Sequence, residues 1–140
     1  MEKTFTIETL LAQDLKYISA LTPVGWYDVT PLYEMNLNQD YFYPIKLVFE
    51  NKVIGVGELI INGNNGWLGN IIVSKEFRNQ GLGKKLTERL IEIANSQNCE
   101  SIYLLATPLG KPVYQKLGFQ ENGKYVFFEK GKMNFPIEKN

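Results

Sequence analysis

Histidine is missing from this chain, and cysteine occurs once in 140 residues. The first absence removes the side chain that ordinarily changes charge near neutrality, so any proton transfer at that pH would fall to a carboxylate or a water chain. The second excludes an internal disulfide, and no metal site is expected. Net charge is also absent: Lys plus Arg and Asp plus Glu both count 15. No global field therefore recruits nucleic acid or an anionic membrane, and any basic patch must be local, as at Lys84, Lys85 and Arg89. No apolar run approaches the roughly 18 residues of a membrane span, and no charged-then-apolar leader is read at the N-terminus. The expectation is a soluble, cytoplasmic protein with no nucleic-acid or membrane partner. Cys99, between a helix and a strand, reads as a small apolar residue.

What is present is an alternation of helical and strand patterns without repeats or low-complexity tracts, which predicts an α/β fold in one domain over residues 1–130, with a frayed tail over 131–140. Thr4 to Ile7 reads as a first strand, and Leu15, Ile18 and Leu21 recur at helical spacing over Asp14 to Leu21. Thr30-Pro31 places a cap before proline at the first helical position, opening a helix through about Leu37. Strands follow over Pro44 to Glu50, Val53 to Asn62 and Trp67 to Val73, with Asn51-Lys52 and the NGNNG cluster as turns, which makes a meander. A helix over Gln80 to Ser96 carries Leu82, Leu86, Leu90, Ile93 and Ala94 on one stripe. A strand over Ile102 to Ala106, a short helix with Pro112 in its first turn, and strands over Phe119 to Glu121 and Tyr125 to Lys130 complete the order.

The most specific stretch is NIIVSKEFRNQGLGKKL, residues 70–86, where an apolar strand enters a glycine-punctuated turn that opens a long helix. Gly81 and Gly83 permit turn dihedrals and close backbone approach, and the unpaired amides at a helix start favour an anion such as a diphosphate. The dinucleotide fingerprint is absent, because Leu86 stands where its third small residue belongs, and no G-x-x-x-x-G-K-[ST] loop occurs. The run Arg78, Asn79, Gln80, Gly81, Leu82, Gly83 resembles instead the R/Q-x-x-G-x-G/A signature of the GNAT superfamily of N-acetyltransferases. About thirty residues on, Tyr114, Gln115, Lys116, Leu117, Gly118 and Phe119 resemble that family's YxKxGF ending.

The resemblance implies a central twisted mixed sheet of about six to seven strands flanked by helices, with acetyl-CoA as co-substrate. It implies that Arg78 to Gly83 cradle the pyrophosphate, with Lys84 beside them, and that main-chain groups of Ile71, Ile72 and Val73 bond the pantetheine arm like a missing strand. Thr107 stands where many relatives carry a pantetheine-binding Asn, and Lys116 reads first as a solvated helix residue rather than a phosphate ligand. Tyr114 takes the position of the acid that protonates the departing thiolate. Its ordinary pKa near about 10 keeps it protonated at neutral pH, and a ring packed against the sheet is the alternative.

Glu58 interrupts the apolar strand VIGVGELII on the face of Ile54, Val56 and Ile60. Burial there would raise its pKa toward that of a useful base; a rim glutamate bonded by a neighbouring strand is the other reading. Trp26, Tyr27 and Tyr33 lie in the region expected to form the acceptor pocket, where they could wall a flat or cationic group or form a small core of their own. The expected function is transfer of an acetyl group to a primary amine of a small molecule or peptide by direct attack in a ternary complex. The alternative is a non-catalytic acyl-CoA-binding regulatory module, and a homodimer is left open.

Overall fold

The computed structural model describes residues 3–108 and 110–123. The chain divides into two compact units, Met1–Leu105 and Ala106–Asn140.

The first unit is built on a five-stranded sheet in the order β1 (Phe5–Thr9), β2 (Phe42–Phe49), β3 (Lys52–Asn62), β4 (Asn65–Val73) and β5 (Ser101–Leu104). The first four strands form the expected antiparallel meander, and β5 joins β4 in parallel after a helical crossover. The sheet is mixed, as expected, with five strands among the described residues rather than six or seven. Phe119 to Glu121 forms no strand, and Tyr125 to Lys130 and the tail 131–140 lie outside the described residues. The β2–β3 hairpin turns one residue earlier than the sequence suggests. Glu50 and Asn51 are its two loop residues, at φ 48° and 63°, which matches the strand twist when both central residues are left-handed.

One face of the sheet is covered by α2 (Leu82–Ser96), whose buried stripe is Leu82, Leu86, Thr87, Leu90 and Ala94. The helix lies close because β3 and β4 present glycines: a Cβ at Gly57 would stand 3.2 Å from Leu90 Cδ1, and one at Gly66 would stand 3.6 Å from Ala94 Cβ. The opposite face carries a core of Leu10, Ile18, Leu21, Tyr33, Phe42, Val56 and Ile72. It is roofed by α1 (Thr30–Asn36) and two 3-10 segments, Ala12–Tyr17 and Ser19–Leu21. The α-helix expected over Asp14 to Leu21 is thus 3-10 instead. Leu15, Ile18 and Leu21 recur every third residue, the period of a 3-10 helix, in which such side chains eclipse on one side. A buried ion pair pins the segment: Asp14 Oδ2 accepts from Lys46 Nζ at 2.8 Å and from the Leu11 amide at 2.8 Å. Val29, not Thr30, stands at the N-cap of α1, and Asp28 Oδ1 accepts the N–H of Thr30, the first helical residue, at 2.9 Å.

The second unit contains α3 (Lys111–Lys116), with Pro112 in its first turn as expected, and ends the helix at Gly118, where φ is 100°.

Candidate active site

Between β3 and β4 the ladder breaks. Val56 pairs with Ile72 and Glu58 with Gly69, so β4 spends one residue more than β3 and a bulge forms around Asn70, whose φ is 48°. On the other side of β4, pairing with β5 stops at Leu68 and Leu104. The edge of β4 from Gly69 to Val73 therefore has no strand partner on that side among the described residues. Ile72 is buried in the core, while Ile71 and Val73 are half-buried, so the side chains serve packing and the strand's main-chain groups are what this edge offers.

Glu58 is 3 % exposed, on the face read from its alternation with Val56. Burial pushes its carboxyl up to about 7, against the smaller opposing influence of the Tyr33 hydroxyl and the Asn70 amide. Asn70 Nδ2 donates to Glu58 Oε1 at 3.1 Å and Oε2 at 3.2 Å. Gly69, directly across, leaves room for the carboxylate: a Cβ there would run into Glu58 Oε2. Tyr33, read above as a pocket wall or part of a small core, is fully buried and takes the core role. Its ring meets Phe42 edge-on at 5.5 Å, and its phenol is raised well above its ordinary pKa by burial first and the Glu58 charge second. The hydroxyl meets no partner in hydrogen-bonding geometry although it feels the Glu58 carboxylate. Gly69 and Asn70 were not singled out from the sequence; the signal was the Gly-Asn pair inside the apolar run WLGNIIV, which reads as a bulge.

The turn after β4 has the form the sequence suggests. Asn79 and Gly81 are left-handed, at φ 63° and 78°, and Gly81 precedes α2, which starts two residues later than expected. Leu82, Gly83 and Lys84 occupy the first turn, where helix N–H groups have no partner within the helix. A Cβ at Gly83 would meet nothing within 4 Å, so the space above the first turn is open. The Leu82 side chain is buried in the core, which leaves its main-chain N–H as its contribution to a cradle. Arg78 Nε donates to the Val73 carbonyl at 3.0 Å, tying the turn to the end of β4. Gln80, Lys84 and Lys85 are exposed around the turn. Diphosphate chemistry fits these amides and cations.

In the second unit, Thr107 Oγ1 accepts the Gly110 N–H at 3.3 Å, so its hydroxyl helps set the turn into α3. Tyr114 is half-buried, its ring 6.2 Å from that of Phe119 in an edge contact, and burial raises its phenol pKa. Lys116 is exposed, in keeping with a solvated helix residue. Trp26 and Tyr27, in the first unit, are 44 % and 80 % exposed. Among the described residues no cluster of three or more His, Cys, Asp or Glu side chains could hold a metal, and no helix is long and apolar enough to cross a membrane.

The family model for the Acetyltransferase (GNAT) family matches residues 10–119. The chain is 30% identical over 99 residues to a spermine/spermidine N(1)-acetyltransferase of Bacillus subtilis, covering 62% of this chain and 65% of that one. It spans less than two thirds of that relative's length. Among solved structures, an acetyltransferase of Trypanosoma brucei superposes with a TM-score of 0.75 at 20% identity, covering 91% of this chain and 100% of that one. An aminoglycoside N-acetyltransferase in complex with CoA does so with a TM-score of 0.75 at 20% identity, covering 93% and 97%. These two likenesses show the fold.

Proposed function

The chain belongs to the GNAT acetyltransferase family, and from that premise we propose that it moves the acetyl group of acetyl-CoA to a primary amine by direct attack in a ternary complex. The observation that carries the reading is the buried Glu58 carboxyl, pushed up to about 7 and seated beside the broken ladder of β4. A group of that pKa takes a proton near neutral pH without the help of histidine, which the chain lacks. Bound acetyl-CoA supplies the activated acyl group. The amides of Leu82, Gly83 and Lys84, with Arg78, Asn79, Gln80 and Gly81 shaping the turn, hold its diphosphate. Main-chain groups of Ile71, Ile72 and Val73 hold its arm as an added strand.

Glu58 accepts the proton that the attacking ammonium gives up, and Tyr114, whose raised pKa keeps its phenol protonated, is the acid for the departing thiolate. Thr107 and Lys116 are secondary contacts in this reading, and the exposed Trp26 and Tyr27 flank the acceptor. Named relatives act on spermine and on glucosamine 6-phosphate, which supports a small amine as acceptor and leaves its identity to experiment. The reading carries a cytoplasmic location with it, which cell fractionation tests.

Thiol release from acetyl-CoA with a panel of small amines tests the proposal. Turnover with at least one amine is expected, with Tyr114→Phe lowering it roughly ten- to a thousandfold at nearly unchanged acetyl-CoA affinity. Glu58→Gln is expected to lose the rising acidic limb of the pH profile. Binding of acetyl-CoA without turnover on any amine would instead identify a non-catalytic acyl-CoA-binding module.

A further inference from the structure

We propose that Asn70 is the positioning residue of this site, bending β4 with its left-handed backbone and holding the Glu58 carboxylate with its side-chain amide. The inference rests on the reading of Glu58 as proton acceptor. Four observations converge on it. One amide straddles both carboxylate oxygens, at 3.1 and 3.2 Å, which fixes the plane of the group as well as its place. The space for the carboxylate exists because the residue before Asn70 is glycine, where a Cβ would collide with Glu58 Oε2. Asn70 sits at φ 48°, a conformation that asparagine tolerates far better than most side chains, so the residue that breaks the ladder also delivers the amide. Finally, no cation is paired with Glu58 among the described residues. Lys46, on the same face two residues from Pro44, the register partner of Glu58, is committed to Asp14.

Among the described residues, the groups facing Glu58 from each packed element are few. Tyr33 comes from α1, and the Lys46–Asp14 pair comes from β2 and the first 3-10 segment. Gly69 and the uncharged Asn70 come from β4, and Val56 and Ile60 flank it on β3 itself. With the ion pair neutralised internally, the ionised carboxylate is favoured by the Tyr33 hydroxyl and by the Asn70 amide, which donates to both its oxygens. Its removal favours the protonated form, so Glu58 keeps its proton to higher pH and the base is lost at the acidic end of the working range. The two roles of Asn70 also tie the bent β4 edge, offered to the acyl donor, to the group that receives the acceptor's proton.

The test separates backbone from amide. Asn70→Gly keeps the left-handed conformation and deletes only the amide, whereas Asn70→Asp keeps both shape and backbone preference and places a second carboxylate against the first. The carboxyl resonance of Glu58, in ligand-free protein labelled with carbon-13 glutamate, is identified by its loss in Glu58→Gln. Its midpoint, about 7 in the parent protein, should rise by roughly half a unit or more in Asn70→Gly and further in Asn70→Asp. The acidic limb of kcat/KM should move with it. An unmoved midpoint in Asn70→Gly overturns the proposal whatever the turnover does. A midpoint that moves in a protein without turnover supports the hold of Asn70 on Glu58 and overturns the activity reading instead.

Discussion

Glu58 shows how burial is converted into both chemistry and instability. An acid whose folded pKa lies above its unfolded value binds more protons in the native than in the unfolded state between the two values. The contribution of Glu58 is therefore most favourable below its ordinary 4.5 and declines as pH rises to about 7. At ~1.4 kcal/mol per unit the decline amounts to about 3 kcal/mol. Glu58→Gln removes the titration while keeping shape. Urea unfolding should therefore find the variant close to the parent protein at pH 5 and more stable by up to about 3 kcal/mol at pH 8.5. Equal stability of the two proteins at pH 8.5 would mean that the carboxyl is not strained by its surroundings. Tyr33 belongs to the same account. Its position inside the helix opened by Thr30-Pro31 marks it as a residue of α1, but only packing makes it a buried neighbour of Glu58 rather than a wall for a substrate.

At the scale of elements, the turn from β4 into α2 was legible because its determinants are local. Gly81 stands at φ 78°, where a side chain costs about 1 kcal/mol, and Gly83 stands on open space in the first helical turn. The two glycines therefore predict different defects. Valine at position 83 fills only the open space and changes helix propensity by less than about 0.5 kcal/mol, so folding should be unaffected. The same side chain obstructs close approach of a diphosphate. Calorimetry on Gly83→Val should show affinity for CoA and acetyl-CoA reduced by roughly tenfold or more, with the melting temperature within about 2 °C of the parent. Unchanged affinity would remove the cradle from this turn. By contrast, the 3-10 geometry of Ala12–Tyr17 was not legible, because an apolar residue every third position fits an α-helix and a 3-10 helix alike over so short a segment. The Asp14–Lys46 pair that holds it joins residues 32 apart in sequence.

For the whole molecule, the balance of 15 basic and 15 acidic residues leaves ligand recognition to local features. A ligand that binds only the folded state at a hundred times its dissociation constant adds about 2.7 kcal/mol, which for a chain of this size raises the melting temperature by on the order of 10 °C. Acetyl-CoA and free CoA should give similar rises, since the proposed cradle and β4 edge would recognise the parts they share. A scan in which neither moves the transition would leave the fold without its proposed ligand.

The meander, the α2 stripe of Leu82, Leu86, Leu90 and Ala94 and the glycine turn before that helix were determined by the sequence itself, because period, turn residues and glycine spacing act over a few positions. The face of Glu58 was readable too, since alternation assigns it beside Val56. What stands opposite that face was not. The bulge that turns Asn70 back onto the carboxylate, the glycine across the ladder that makes room for it and the roof that buries Tyr33 each depend on strand register and packing. A period specifies which way a side chain points, whereas its partners, and with them the pKa of a lone carboxylate, are set only when distant segments close over it.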